Sequence, residues 1–219
     1  MIKTVIFDMD GLLVNSEPYW KMAMKEVFAK MDITFSEEEY ERTVGLPTPE
    51  IVAYWSAFVD WQGKTNEEVS TEILDNAKAN ILAHAELMEG ALYLLNFFKK
   101  KGFKMGLASS SPMMMIDAVL DKFELRKYFE TLHSGEHHDY GKPHPAVYLA
   151  CAKELNADPV HCLVFEDSVN GMVAAKAAKM NVVAVPEEQN RADKRYALAD
   201  IQLSSLKEFT EETLKKLQD

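Results

Sequence analysis

Short apolar runs alternate with helical stretches in the second half of the chain, and this alternation constrains the fold more than any other feature. The runs "FKMGLAS" (103–109), "CLVFED" (162–167) and "NVVAVP" (181–186) are each too short for a helix, and a weaker run, "DIQLSS", follows at 200–205. Continuous runs rich in Val, Leu or Phe are typical of strands covered on both faces. Strands in alternation with helices predict an α/β fold with a doubly wound parallel sheet.

The segment from residue 15 to residue 85 has no convincing strand and has a helical pattern instead. Ser36 and Glu39 have the spacing of a capping box. Apolar residues recur at helical spacing before them, at Trp20, Met24, Val27 and Phe28. We therefore predict an all-helical cap domain over residues 15–85, inserted into a core domain made of residues 1–14 and 86–219.

Composition excludes several classes of function. The 219-residue chain has a formal net charge of -11, which opposes attraction to nucleic acid or to an anionic membrane surface. It has no apolar run of about 18 residues and no signal-peptide pattern. Cys151 and Cys162 are too few for a disulfide framework and are expected in the core. We expect a monomeric cytoplasmic protein that binds neither nucleic acid nor a membrane.

Polar residues follow three of the predicted strands, and ligands of parallel sheets bind beyond the carboxyl ends of the strands. These residues are Asp8 and Asp10, after a first predicted strand at "VIF" (5–7), Ser109 and Ser110, and Glu166 and Asp167. Crowded carboxylates repel each other unless a hard cation lies among them, and Mg²⁺ prefers oxygen ligands. Serine hydroxyls, free N–H groups at a helix start and the ammonium of Lys142 in "GKPHP" suit a phosphate group. The crevice is therefore predicted to bind magnesium and phosphate.

The segments "DMDG", "LAS", "GKPHP" and "FEDS" occur in this order and resemble the four motifs of the haloacid dehalogenase-like phosphotransferase superfamily, in the branch with a helical cap after the first strand. The resemblance spans the whole chain. The stretches "FDMDGLLVNSEP" and "EDSVNGMVAAKAAKM" are similar to sugar phosphatases of the 2-deoxyglucose-6-phosphate or hexitol type and, more distantly, to β-phosphoglucomutase. The resemblance implies a Mg²⁺-dependent phosphatase that hydrolyses a small phosphorylated metabolite, a hexose or other sugar phosphate, through an aspartyl-phosphate.

The resemblance also implies a role for each motif residue. Asp8 would be the nucleophile, and Asp10 would protonate the leaving alcohol and later deprotonate the attacking water. The Mg²⁺ ligands that the resemblance implies are the carboxylates of Asp8 and Asp167 and the backbone carbonyl of Asp10. The resemblance places Glu166 at the ion as well, either as a further ligand or next to the ligands. The residues implied at the phosphoryl oxygens are Ser109, Ser110 and Lys142.

Substrate selection is expected to fall to the cap. Five cap or hinge residues are candidates to face the cleft, namely Glu17, Trp20, Arg42, Gly45 and Leu46. Their side chains give no hint of which sugar is bound, so the sequence leaves the substrate open.

Three alternatives remain at the level of sequence. A phosphomutase of the same fold would pass the phosphoryl group to a second sugar hydroxyl, although Trp20 stands where the related mutases have a histidine, which favours hydrolysis. A phosphate-binding regulator without activity is the second alternative. The third is a zinc site in the histidine-rich segment, which lacks a cysteine, at His133, His137, His138 and His144.

Overall fold

A single parallel sheet forms the centre of the protein. The computed structural model describes residues 1–43 and 46–218, with the backbone alone of Glu41. In the described residues, six strands pair in the order β3-β2-β1-β4-β5-β6, and every pair is parallel. The strands are β1 (Thr4–Phe7), β2 (Lys104–Ser109), β3 (Thr131–Ser134), β4 (Cys162–Glu166), β5 (Asn181–Ala184) and β6 (Ile201–Gln202). The predicted doubly wound α/β fold is confirmed.

Helices fill the connections between the strands. The described residues between β1 and β2 form α1 (Glu17–Ala29), α2 (Glu37–Glu41), α3 (Thr48–Trp55) and α4 (Asn66–His84). The others are α5 (Ala91–Lys100), α6 (Met113–Lys122), α7 (Ala146–Glu154), α8 (Val169–Ala177) and α9 (Glu211–Lys216). The predicted capping box at Ser36 is present at the start of α2. No helix in residues 1–43 and 46–218 is long and apolar enough to cross a membrane.

The sheet is buried on both faces because side chains alternate along each strand. Val5 and Phe7 of β1 belong to a hydrophobic cluster shared with α5 and α6, whereas Ile6 belongs to a second cluster shared with α7 and α8. The ring of Phe7 stacks on that of Phe165 in β4, with centroids 5.3 Å apart. This packing fixes the carboxyl end of β1 against the end of β4.

The helices between β1 and β2 have a hydrophobic cluster of their own, which includes Phe28, Trp55 and Ile73. The two chain segments that lead into and out of this helical region pair with each other in an antiparallel bridge between Val14 and Leu87. These features agree with an inserted cap. The division at residues 14, 15, 85 and 86 stays a prediction.

The sequence reading missed β3. This strand, "TLHS", has four residues, of which Leu132 alone is a large aliphatic residue. It pairs with β2 on one side and is the edge of the sheet, so it lacks the continuous apolar run of a central strand. Cys151 and Cys162 are buried free thiols, as expected.

Candidate active site

Three neighbouring strands end at the same place. Asp8 directly follows β1, Ser109 is the last residue of β2, and Glu166 is the last residue of β4, followed by Asp167. Because β1 pairs with both β2 and β4, and the chain reverses its direction of progress across the sheet there, these ends form the crevice where ligands of such sheets bind.

Lys142 is a buried cation in the centre of this crevice. Its side chain is 3% exposed, and its Nζ donates to Asp8 Oδ1 and to Glu166 Oε1, both at 2.6 Å, and to the carbonyl of Ala108 at 3.1 Å. The same Nζ lies 4.8 Å from the ring centroid of Tyr148. Burial disfavours the charged form of Lys142 and so lowers its pKa. The carboxylates of Asp8 and Glu166 outweigh this effect and hold the pKa of Lys142 above its usual value. Lys142 therefore stays protonated beside Asp8.

Glu166 is fully buried, and protein donors occupy both of its carboxylate oxygens. Oε1 accepts from Lys142 and from the hydroxyl of Tyr148 at 2.5 Å. Oε2 accepts from the backbone N–H groups of Asp167 and Ser168 and from the hydroxyl of Ser168, each at 3.1 Å. Burial raises the pKa of Glu166, but Lys142 and these hydrogen bonds outweigh it and lower the pKa overall. These hydrogen bonds fix the Glu166 carboxylate against Lys142.

Two glycines make room for the acids. A Cβ on Gly171, in the first turn of α8, would lie 1.7 Å from Glu166 Oε1. A Cβ on Gly11, which has a φ of 71°, would lie 2.1 Å from Asp167 Oδ2. Any side chain at either position would displace a carboxylate of the site, so both positions require glycine for a steric reason, and Gly11 requires it for its left-handed conformation as well.

One oxygen from each of Asp8, Glu166 and Asp167, hereafter the carboxylate triad, lies within 4.8 Å of the others. Burial raises the pKa of Asp8 well above its usual range, and Lys142 offsets this only in part. Burial and the charges of Glu166 and Asp8 likewise raise the pKa of Asp167. Clustered hard oxygen donors, two buried and one half-buried, with a single lysine beside them, fit a divalent cation such as Mg²⁺. In the described residues no other group of three His, Cys, Asp or Glu ligands comes this close together, so the alternative zinc site gains no support.

Asp10 is held from both sides of the crevice. From the core, the hydroxyls of Ser109 and Ser111 donate to its Oδ2 at 3.2 Å and 2.7 Å. From the other side, the hydroxyl of Ser16, which precedes α1, and the indole Nε1 of Trp20, in the first turn of α1, donate to its Oδ1 at 2.7 Å and 3.1 Å. The Asp10 carboxylate is therefore fixed next to Asp8, at the contact between the core and the helices that follow β1.

A cavity that opens to solvent lies above the strand ends, between the core and the helical region, and the empty space in and over it is about 740 Å³. Ser110, which was predicted at the phosphate, lines it together with Asp8, Asp10, Ser109, Lys142 and Asp167, whereas Glu166 does not. Of the candidate cap residues, Glu17, Trp20 and Leu46 line it as well. Arg42 does not, because its guanidinium turns back to Glu38 at 3.2 Å and lines a neighbouring polar cleft. Gly45 lies outside the described residues.

Comparison with known proteins places this arrangement in a family. Residues 2–179 match the profile of the haloacid dehalogenase-like hydrolases. This chain belongs to the haloacid dehalogenase-like hydrolase family. Hexitol phosphatase B of Escherichia coli K12 is 42% identical over 97% of this chain and 96% of its own length. A phosphorylated carbohydrates phosphatase of Thermotoga maritima is 30% identical, covering 81% of this chain and 82% of its own.

A solved structure gives the same result for the fold. CbbY from Rhodobacter sphaeroides, in complex with phosphate, superposes with a TM-score of 0.87 at 26% identity, over 95% of this chain and 96% of that one. The predicted family and fold are thus confirmed. The role of each residue in this hydrolase stays a prediction.

The sequence reading missed several residues of the hydrolase site. Tyr148 on α7 and Ser168 at the start of α8 hold Glu166, and Ser16 and Ser111 hold Asp10. Tyr148 has no sequence signal, because an aromatic residue on a helix is usually part of the core. Ser168 had a signal in "EDSVNG", where a serine three residues before a glycine in a helical pattern marks an N-cap.

Proposed function

We propose that this hydrolase is a Mg²⁺-dependent phosphatase that hydrolyses the phosphate monoester of a small polyol or sugar, such as a hexitol or hexose phosphate, through an aspartyl-phosphate. The observation that carries this proposal is the buried Asp8 carboxylate. It is paired to Lys142 at 2.6 Å, and it lines the same cavity as Asp10. The names of the relatives, hexitol phosphatase B and phosphorylated carbohydrates phosphatase, support the substrate class.

In this scheme Asp8 is the nucleophile. Lys142 holds its Oδ1, and Oδ2 attacks the phosphorus, so that the bond from phosphorus to the substrate oxygen breaks as the Asp8–phosphorus bond forms. Lys142 and the hydroxyl and N–H groups at Ser109 and Ser110 hold the other phosphoryl oxygens as charge develops on them. Water then attacks the phosphorus and releases Asp8 and inorganic phosphate.

Asp10 is the proton-transfer residue in both halves of the reaction. It gives a proton to the leaving alcohol oxygen and then takes one from the attacking water. The four hydrogen bonds to its carboxylate fix its direction, which is what proton transfer to a bound substrate requires.

The carboxylates of Asp8 and Asp167 and the backbone carbonyl of Asp10 would hold the Mg²⁺ ion. When bound, the ion neutralises negative charge on the phosphoryl group and on the acids around it. Glu166, whose oxygens are taken by protein donors, is assigned to positioning Lys142.

Phosphate release by the purified protein tests this proposal. We expect Mg²⁺-dependent release from glucitol 6-phosphate, and we expect Asp8→Asn to lower kcat by at least about 10³-fold, because an amide cannot form the phospho-enzyme. The matched control is Asp75→Asn on the exposed side of α4, which should keep normal activity. Activity of Asp8→Asn close to that of the control would refute the mechanism.

A further inference from the structure

The backbone on both sides of Asp167 is held by hydrogen bonds. In the peptide group before it, the carbonyl of Glu166 accepts from the N–H of Val185 at 2.7 Å, and the N–H of Asp167 donates to Glu166 Oε2 at 3.1 Å. In the peptide group after it, the N–H of Ser168 donates to the same Oε2 at 3.1 Å, and the carbonyl of Asp167 accepts from the hydroxyl of Tyr196 at 2.6 Å. Both peptide planes next to the Cα of Asp167 are therefore fixed, and with them the direction in which its carboxylate leaves the chain.

Tyr196 reaches this carbonyl from the segment between β5 and β6. It lies in a short 3₁₀ helix, Lys194–Leu198, it is 3% exposed, and its ring packs in the hydrophobic cluster shared with α7 and α8. The ring is sufficient for this apolar packing, whereas the hydroxyl donates to a carbonyl at the edge of the site. The hydroxyl is thus the part of Tyr196 that bears on Asp167.

The segment that carries Tyr196 is itself attached to the sheet and to α8. Asp200, which follows the 3₁₀ helix, accepts from the N–H of Val182 in β5 at 2.7 Å and from the Nζ of Lys176 in α8 at 2.8 Å. Because Asp167 lies just before α8, these bonds fix the segment relative to it. A hydrogen-bond donor anchored in this way restrains the position of its acceptor.

The position of the Asp167 carboxylate matters for a bound cation. Its Oδ2 lies so close to the backbone of Gly11 that an added Cβ would be 2.1 Å away, and one of its oxygens belongs to the carboxylate triad. Mg²⁺ demands near-ideal octahedral geometry, with ligands at about 2.0–2.1 Å. Groups that orient the ligands from outside typically change the affinity for a metal by about 10–100-fold when they are removed.

We propose that Tyr196 is a positioning residue of the metal site, which holds the carboxylate of Asp167 in place for a divalent cation by fixing the backbone of Asp167. This inference rests on the proposed function, which makes Asp167 a Mg²⁺ ligand, and it adds to the site a residue outside the four motifs. Tyr196 lines the neighbouring polar cleft and not the cavity, so it acts on the affinity for the cation and not on the substrate.

Titration with Mn²⁺ measures this effect without turnover. Mn²⁺ takes the same oxygen ligands as Mg²⁺, and electron paramagnetic resonance counts the free ion. Tyr196→Phe removes the hydroxyl and keeps the ring, and we expect it to raise the dissociation constant for Mn²⁺ about tenfold. The Mg²⁺ concentration for half-maximal phosphate release should rise by a similar factor. At saturating Mg²⁺, kcat and KM for glucitol 6-phosphate should stay within about twofold of the wild-type values.

Two further variants separate positioning from a loss of stability. Tyr93→Phe is the matched control, because the hydroxyl of Tyr93 on α5 also donates to a backbone carbonyl, that of Phe209, at 3.0 Å. Tyr93 lines neither the cavity nor the polar cleft, so its loss should leave the Mn²⁺ dissociation constant unchanged. In an Asp167→Asn background, Tyr196→Phe should change that constant by less than about twofold, because the carboxylate that it positions is already gone.

Equal Mn²⁺ dissociation constants for Tyr196→Phe and the wild-type protein would overturn the inference and leave the phosphatase in place. So would a tenfold effect that persists in Asp167→Asn, or a Tyr196→Phe protein that does not fold when Tyr93→Phe does, since either result would make Tyr196 a structural residue. If no compound is turned over, the proposed function fails, and the Mn²⁺ titrations still decide the inference. Undetectable Mn²⁺ binding by the wild-type protein would overturn both.

Discussion

Replacing Lys142 by methionine separates what this residue does for stability from what it does for catalysis. Its Nζ makes two charge-assisted hydrogen bonds of 2.6 Å, and both acceptors, Asp8 and Glu166, are buried. Removing one partner of a buried ion pair costs about 3–5 kcal/mol, because the remaining charge is left without compensation. We expect Lys142→Met to lower the free energy of unfolding by about that amount in chelator-treated protein.

The double variant Lys142→Met/Glu166→Gln gives the more decisive measurement. Lys142→Met alone leaves two buried acids, Asp8 and Glu166, without their cation. The double variant also removes the charge of Glu166, so Asp8 is the one acid left without its cation. The losses in free energy of unfolding of the two single variants, added together, should therefore exceed the loss in the double variant by about 1–3 kcal/mol. Catalysis should not recover with stability, because the cation at the phosphoryl group is still absent. We expect kcat/KM to stay at least about 10²-fold below the wild-type value in both variants.

Urea unfolding in chelator and Mg²⁺-dependent phosphate release measure the two effects on the same preparations. Lys153→Met, on an exposed position of α7, is the matched control and should change the free energy of unfolding by less than about 0.5 kcal/mol. Strict additivity of Lys142→Met and Glu166→Gln would refute the reasoning. So would a cost below about 1 kcal/mol for Lys142→Met, since that would mean the pair is not buried as described.

Further predictions concern the metal and two glycines. Burial raises the pKa values of Asp8 and Asp167, so the metal-free fold binds more protons than the unfolded chain and loses stability as pH rises above the ordinary carboxylate range. Mg²⁺ should therefore raise Tm more at about pH 8 than at about pH 6 in thermal unfolding, and equal shifts would contradict this. Gly171→Ala should destabilise the fold, because the new Cβ would overlap Glu166. The same exchange normally stabilises a helix by about 1 kcal/mol. A rise in the unfolding midpoint would argue against this contact. Gly141→Ala puts a Cβ 2.6 Å from Pro47 Cγ and should lower kcat/KM roughly tenfold by displacing the cavity wall, whereas unchanged kinetics would show that the wall adapts.

Continuous apolar runs made most of the sheet predictable. The strand β1 and its neighbours β2 and β4 are buried along nearly their whole length, so their sequences contain few polar residues until the strand ends. Polar residues at those ends, such as Asp8 and Glu166, are then conspicuous, and the parallel topology brings them together. The edge strand β3 lacks this signal because it is short and pairs with a neighbouring strand on one side only.

The partners of the motif residues were not predictable in the same way. Tyr148 of α7 reaches Glu166 at the end of strand β4, and its apolar ring fits the core pattern of α7. Trp20 was identified as a cap residue, and its hydrogen bond to Asp10 depends on how α1 packs against the strand ends. Contacts between distant elements follow from packing geometry, which the spacing of residues along the chain does not encode.

The division of roles between Glu166 and Asp167 shows what the structure adds to a motif. In the sequence the two acids are adjacent and chemically alike, so both were candidates for the metal. In the fold, Glu166 has no exposed surface and accepts from five protein donors, whereas Asp167 faces the cavity with its carboxylate beside Gly11. We therefore assign the orientation of Lys142 to Glu166, whose oxygens already accept from protein donors, and the binding of the cation to Asp167, which faces the cavity, and both roles stay predictions. The different donors around each of the two neighbouring acids are the reason for assigning them different functions.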